Sequence, residues 1–453
     1  MKGEYMRKKI LVFTIAAILI IGITASAQEA TKKIRQDRSD LYKQIELFAS
    51  ALSLVRSDYV DEVSAKDIVY GALKGMLMSL DAHSQFMTPE TYEDMRVDTE
   101  GKFGGLGIEI TLKDGILTII TPIEDTPAYK AGIHAGDKIV RIDGESTRDI
   151  TLTESVKKLR GAPNTTVELT ILREDEKRIF DVEVTRGIIE IKSIKEASIL
   201  EDGIAYIKLV EFQENTTKQL EKSLEELSAK NFDSLILDLR NNPGGLLDTS
   251  VDVAEIFLPR GRTVVSTKGR RESQNVVYTS KHKKPLLGFP MIVLVNKGSA
   301  SASEIVAGAI KDNKRGIIVG ETTFGKGSVQ TVVPLADGSA VRITTAKYFT
   351  PGGREIHNKG IEPDVLVPFV RQAVKEAGDT DDVFDEYHIE DKKDKVEKDK
   401  DGEDKAEDAK KQDAGKEDKK DGQPREYDNQ LKQAVDLIKG IKAYQALGAE
   451  ANG

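Results

Sequence analysis

The 453-residue chain reads as a multidomain α+β protein. Three observations predict this. Apolar residues recur at three- and four-residue steps near the N-terminus. They alternate in short runs between about 101 and 186. Continuous apolar strands then alternate with amphipathic helices up to about 370. The predicted order is an N-terminal helical region (28–98), a small strand-rich domain (99–186), an α/β core with a mixed sheet (187–372), a disordered charged tether (373–425) and a C-terminal helix (426–453).

The segment before residue 28 has the form of an export signal. Arg7, Lys8 and Lys9 precede the apolar run Ile10 to Ile23, and Ala25-Ser26-Ala27 offers small residues for cleavage. The alternative is an uncleaved anchor, since the run is short for a spanning helix but not too short to be one. Either form exports the rest to a periplasmic or extracytoplasmic location, and the second ties it to the inner membrane.

Leu41, Ile45, Phe48, Leu52 and Val55 form one helical stripe, and Ile68, Ala72, Leu73, Met76 and Leu77 a second. They suit a helical cap or a dimer interface better than a ligand site. Gly104-Gly105-Leu106-Gly107 then runs into the strand Ile108 to Ile110. Backbone N–H groups in such a loop can capture a terminal carboxylate, and the strand can pair with an extended peptide. Strands at Ile116–Ile120 and Lys138–Ile142, a helix over Leu152–Leu159 and a hairpin of Val167–Leu172 with Phe180–Val184 complete this domain.

Core strands are expected at Ile204–Leu209, Leu235–Leu239 and Met291–Val295, with helices at Thr216–Leu227, Asp248–Phe257 and Ser303–Ile310. Residues 391–425 hold 13 acidic and 12 basic side chains and too little apolar surface to fold. Beyond them Tyr427, Leu431, Val435, Ile438 and Ile441 mark an amphipathic helix that needs a surface, the N-terminal helices being one choice.

Composition removes several chemistries. With no cysteine there is no disulfide, thiolate nucleophile or cysteine zinc site. The five histidines have no metal-ligand spacing, and no metal or other cofactor is expected. A net charge of −9 gives no general attraction to nucleic acid.

The chemistry concentrates in Gly298-Ser299-Ala300-Ser301-Ala302-Ser303-Glu304 and Gly325-Lys326-Gly327-Ser328-Val329-Gln330. Serine at a strand-to-helix turn has free N–H groups and the positive end of the helix dipole beside it. It is also a favoured helix cap, and spacing alone does not choose among Ser299, Ser301 and Ser303. Free lysine titrates near ~10.4, while burial can bring one to about 7–8, where it accepts a hydroxyl proton. If a strand starts at Lys326, the two-residue period sets Lys326, Ser328 and Gln330 on one face. The turn Arg240-Asn241-Asn242-Pro243-Gly244-Gly245 follows a buried strand and can supply a second N–H to an oxyanion.

Two rival chemistries are weaker. Gly320 to Lys326 matches a phosphate-binding loop up to its lysine, but Gly327 stands where Ser or Thr should hold magnesium, and a strand follows instead of a helix. A triad built from His357 and Asp364 has no motif tying either to Ser301. His83 in Leu80-Asp81-Ala82-His83-Ser84 reads as structural.

Taken together, residues from about 40 to 370 resemble the C-terminal processing (tail-specific) proteases. The resemblance is carried by Leu237-Asp238-Leu239-Arg240-Asn241-Asn242-Pro243-Gly244-Gly245, by the Gly298–Glu304 segment, and by Thr323-Phe324-Gly325-Lys326-Gly327 followed by Gln330. Leu80 to Ser84 is similar to a further family motif, with Ala82 replacing the usual proline. The resemblance implies an exported serine endopeptidase with a Ser-Lys dyad. Ser301 would be the nucleophile, Lys326 the general base and Gln330 its orienting partner. Ala302 and one of Gly244 or Gly245 would donate the oxyanion N–H groups. It implies that the strand-rich domain is a PDZ domain, with Gly105, Leu106, Gly107 and Ile108 binding the substrate end. The partners expected are proteins with unstructured apolar C-termini and an adaptor or activator protein, and the apolar faces of residues 28–98 and of the terminal helix predict a second copy of the chain in a dimer. The competing class is a catalytically inactive PDZ peptide-binding adaptor.

Overall fold

A computed structural model describes residues 39–113, 115–370 and 428–450, with side chains to 447. The segments expected to direct export (1–27) and to form the charged tether (373–425) lie outside the described residues. Among the described residues no helix is long and apolar enough to cross a membrane. The chain forms two compact units.

One unit holds the chain up to Val97 together with Val329–Ala346. Its helices span 39–58, Ala65–Met78 and Pro89–Glu100. The strand Gln85–Met87 pairs antiparallel with the start of Ala340–Phe349, Phe86 opposite Val341. The N-terminal part is therefore not helical alone, because strand from far along the chain completes it. The Leu80–Ser84 motif is the joint: the Asp81 carboxylate accepts the His83 and Ser84 N–H groups, each at 2.7 Å. The Ser84 hydroxyl in turn accepts the Thr344 N–H at 3.1 Å. His83 contributes its backbone to this joint: its N–H is held by Asp81 and its carbonyl accepts from Arg342 Nε at 3.3 Å.

The second unit holds the strand-rich domain and most of the α/β core. The strands of the former run Ile108–Lys113, Ile116–Pro122, Lys138–Ile142, Thr166–Arg173, Arg178–Thr185, each antiparallel to the next. Alternate residues Leu117, Ile119, Ile139, Leu169 and Ile171 fill the core at 0–1% exposure, which is why these runs alternate in the sequence. Helix Leu152–Leu159 starts at a reciprocal cap in which Glu154 and Thr151 exchange side-chain and backbone bonds. Gly104 and Gly105 belong to a strand, Lys102–Gly105, paired with Gly187–Glu190, so the open loop is shorter than its glycines suggest.

The core sheet has six strands in the order Ile194–Ile199, Ile204–Leu209, Ser234–Asp238, Met291–Val295, Ile317–Gly320, Val365–Leu366. The first pair is antiparallel and the other pairs parallel, giving the expected mixed sheet. Ser234–Asp238 and Met291–Val295 are buried throughout, so both faces are covered and the strands read as unbroken apolar runs. One face, formed by Ile204, Tyr206, Ile236, Ile292, Leu294 and Val319, is covered by Ala434, Val435 and Ile438 of the C-terminal helix Asn429–Glu450. That helix finds its cover on the core sheet, a surface the sequence does not single out. The carboxyl ends of three parallel strands lead into segments 239–245, 296–301 and 321–327, and these meet at one edge of the sheet.

Candidate active site

The segments at this edge are stitched by short polar bonds. Ala300 N–H and the Ser303 hydroxyl both donate to the Asn242 carbonyl, at 3.0 and 2.9 Å. The Ser299 hydroxyl donates to the Leu239 carbonyl at 2.8 Å. Asn241 and Asn296 exchange two bonds, each of 2.9 Å. Two of the three candidate serines thus spend their hydroxyls holding the serine turn to the 239–245 turn. Ser301 differs from both. It caps helix Ala302–Asp312 with φ 53° and ψ −111°, a backbone state that L residues rarely adopt. It is 9% exposed.

Glu304 is the residue that sequence reasoning left without a role. It is fully buried, and its carboxylate collects four donors. Oε2 accepts the backbone N–H of Ser301 (2.8 Å) and of Lys326 (2.8 Å). Oε1 accepts the Thr323 hydroxyl (2.5 Å) and the Gly325 N–H (2.7 Å). The backbone nitrogens of Ser301 and Lys326 therefore share one oxygen atom and lie within two hydrogen-bond lengths of each other. Burial raises the carboxyl's pKa above its ordinary value, and the Thr323, Gly325, Ser301 and Lys326 bonds offset only part of that rise. All four contacts are donors, so the ionised form is the one the cage fits. The sequence signal was present: Ser followed three residues later by Glu is a helix-capping pattern.

Lys326 is half-buried and stands just ahead of strand Ser328–Pro334, which carries the half-buried Gln330. The strand after the lysine removes the phosphate-loop reading, which needs a helix there. Phe324, 64% exposed, is held by its N–H to the Ser299 carbonyl at 3.0 Å.

Gly244 adopts φ 109°, and a Cβ on it would stand 2.8 Å from Ser301 Cβ and 3.0 Å from Ala302 N. Only glycine lets this turn press against the helix start. The Gly244 N–H is already given to Asn242 Oδ1 at 2.9 Å. Gly245 forms a parallel bridge with Phe212, in which the Gly244 carbonyl and the Leu246 N–H face Phe212.

Asp364 accepts the Ile318 N–H at 2.9 Å and pairs with Lys311 at 3.0 Å, so its carboxylate serves the sheet and not His357. Among the described residues no group of three or more His, Asp or Glu could hold a metal ion. In the PDZ domain Gly107 has φ 79° and lies under Thr126, whose hydroxyl donates to its carbonyl at 3.1 Å. Leu106 is buried, and its carbonyl accepts the Ala128 N–H at 2.9 Å. Gly105 ends the Lys102–Gly105 strand and Ile108 begins the next.

Comparison with known proteins gives the same organisation. Residues 203–367 match Peptidase family S41, residues 104–184 a PDZ domain, and residues 12–91 the activating protease CtpB N-terminal domain. The carboxy-terminal-processing protease of Bartonella bacilliformis is 41% identical over 366 residues, covering 80% of this chain and 83% of that one. The carboxy-terminal processing protease CtpB of Bacillus subtilis is 33% identical over 356 residues, covering 78% and 74%. A solved photosystem II D1 C-terminal processing protease is 33% identical, covering 71% of this chain and 92% of that one, with a TM-score of 0.42. The chain is a serine-type peptidase and belongs to the carboxy-terminal processing protease family.

Proposed function

We propose that the chain is an exported serine endopeptidase that cleaves proteins recognised by their C-termini, using Ser301 and Lys326 as a dyad. The observation that carries this reading is the shared Glu304 oxygen, which holds the backbones of both residues at the end of the parallel strands. The Ser299 and Ser303 hydroxyls are engaged elsewhere, which favours Ser301 as nucleophile.

Ser301 Oγ attacks the scissile carbonyl carbon as Lys326 Nζ takes its proton. The carbonyl π pair moves to oxygen, and the oxyanion is received by N–H groups of Ala302, at the first helical position, and of the 244–245 turn. Gly245 suits this role better than Gly244, whose N–H is spoken for. The intermediate collapses, the C–N bond breaks, and Lys326 returns the proton to the departing amine. Water, deprotonated by Lys326, then attacks the acyl carbon; the bond from that carbon to Ser301 Oγ breaks, Lys326 returns the proton to Oγ, and the new carboxylate leaves. Gln330, on the strand that begins just past the lysine, is the proposed orienting partner of Lys326.

The PDZ loop at Gly105, Leu106 and Gly107 takes the substrate's terminal carboxylate, and Ile108 begins the strand that pairs with its backbone. The N-terminal helices carry a dimer contact. Leu41, Ile45 and Phe48 follow one helical stripe and are 45–60% exposed in the single chain. Residues 1–27 direct export.

A fluorophosphonate probe, read by intact mass with peptide mapping, tests the chemistry. The expected result is one adduct, on Ser301, lost when Lys326→Ala removes the base. Retained affinity for an apolar C-terminal peptide without any Ser301 adduct would replace the peptidase by the adaptor.

A further inference from the structure

The 240–245 turn has a second anchor, supplied from beyond the matched peptidase region. Arg240 opens the turn and is 6% exposed. One side of its guanidinium donates to both oxygens of Asp238, Nε at 2.9 Å and Nη2 at 2.6 Å. The other side donates to both oxygens of Asp428, Nη1 at 2.8 Å and Nη2 at 2.7 Å, and Nη1 also reaches Gln430 Oε1 at 3.1 Å. Asp238 is fully buried and takes a further bond from the Tyr206 hydroxyl at 2.8 Å. Asp428 and Gln430 stand at the start of the C-terminal helix, whereas the Peptidase family S41 match ends at residue 367. Gln430 Nε2 and Asn429 Nδ2 fasten the same point to the Val367 and Pro368 carbonyls, at 2.7 and 2.8 Å.

We propose that Asp428 is a positioning residue for catalysis: by completing the pairing of Arg240 it fixes the turn that offers the second oxyanion donor, so turnover depends on the C-terminal helix being seated. Arginine between two carboxylates is held in one plane by bidentate bonds. Removing Asp428 leaves half of a buried guanidinium without its partner, and the side chain must shift to recover one. Arg240 is five residues from Gly245, the favoured donor, and the intervening Asn242 is bonded to both Gly244 and the serine turn. A small displacement at Arg240 therefore reaches the donor. An oxyanion donor moved by a fraction of a bond length loses its effect in the transition state while substrate binding in the PDZ groove is untouched.

This inference rests on the proposed oxyanion role of the 244–245 turn, and the test separates the two. kcat, KM and Tm are measured on full-length protein for Ser301→Ala, Asp428→Ala, Asp428→Asn and Lys442→Ala. Lys442 lies near the other end of the same helix and pairs with Asp233 at 2.7 Å, away from Arg240. The expected result is a kcat lowered about tenfold or more by Asp428→Ala with KM unchanged, a smaller fall for Asp428→Asn, and wild-type kcat for Lys442→Ala. Asp428→Asn keeps the side chain's shape and supplies the answer if the alanine variant does not fold. Unchanged kcat in both Asp428 variants, or an equal fall in Lys442→Ala, overturns the positioning role. Full turnover by Ser301→Ala instead overturns the site itself.

Discussion

The helix at 39–58 and the helix Asn429–Glu450 look alike in sequence, each with apolar residues at three- and four-residue steps. They end differently. Ala434 and Ile438 of the second are 0% exposed against the core sheet, whereas Leu41 and Ile45 of the first are 60% and 52% exposed in the single chain. The C-terminal helix also carries polar fasteners matched to its seat: Lys439 to Glu201 and Asp202, Lys442 to Asp233, Asp428 to Arg240. Periodicity states that a face needs a partner. Which partner is decided by the fit of the opposite surface and by the charges at its rim.

That contrast can be broken in graded steps. Ile438→Ala should cost about 2–5 kcal/mol, because a filled seat on the sheet becomes a cavity; chemical denaturation at unchanged m-value checks it. A near-zero cost would mean that the helix is not seated in solution. Glu304→Gln should lower turnover by about 10²-fold, since the new amide points an NH2 group at N–H and O–H donors that now meet a carboxylate. Steady-state kinetics would show it, and unaltered kcat would remove Glu304 from the positioning of the dyad. Lys442→Ala should change stability by less than about 1 kcal/mol, as a part-exposed ion pair in water contributes little. Phe48→Asp should leave the monomer's stability within about 0.5 kcal/mol while halving the sedimenting mass of a dimer. A large stability loss would mean that Phe48 packs within its own chain.

Most of the fold was legible because the strands of Ser234–Asp238 and Met291–Val295 have apolar side chains on both faces, and the PDZ strands on one. The strand pairing of Gln85–Met87 with Ala340–Arg342 was not legible. Three residues with one polar end give no periodicity, and the partner lies far along the chain. In the site, motifs pointed to Ser301, Lys326 and the Gly244-Gly245 turn, but spacing could not separate three serines. Resemblance singled out Ser301, and the Ser299 and Ser303 hydroxyls, each bonded to a backbone carbonyl, agree with that proposal. Glu304 carries no signal beyond capping in the sequence, since an acidic residue in a first helical turn is ordinary capping chemistry. Its burial, with four donors from three segments, is a tertiary fact. Arg240 likewise stood in a recognised motif, yet nothing in the sequence tied it to Asp428.

The central claim is that one hydroxyl and one amine perform the cleavage. The direct test is turnover of a protein with a disordered apolar C-terminus by wild type, Ser301→Ala and Lys326→Ala, with folding of each variant checked by circular dichroism. Both folded variants should lose about 10⁴-fold or more in kcat. Wild-type-like cleavage by either one would contradict the dyad.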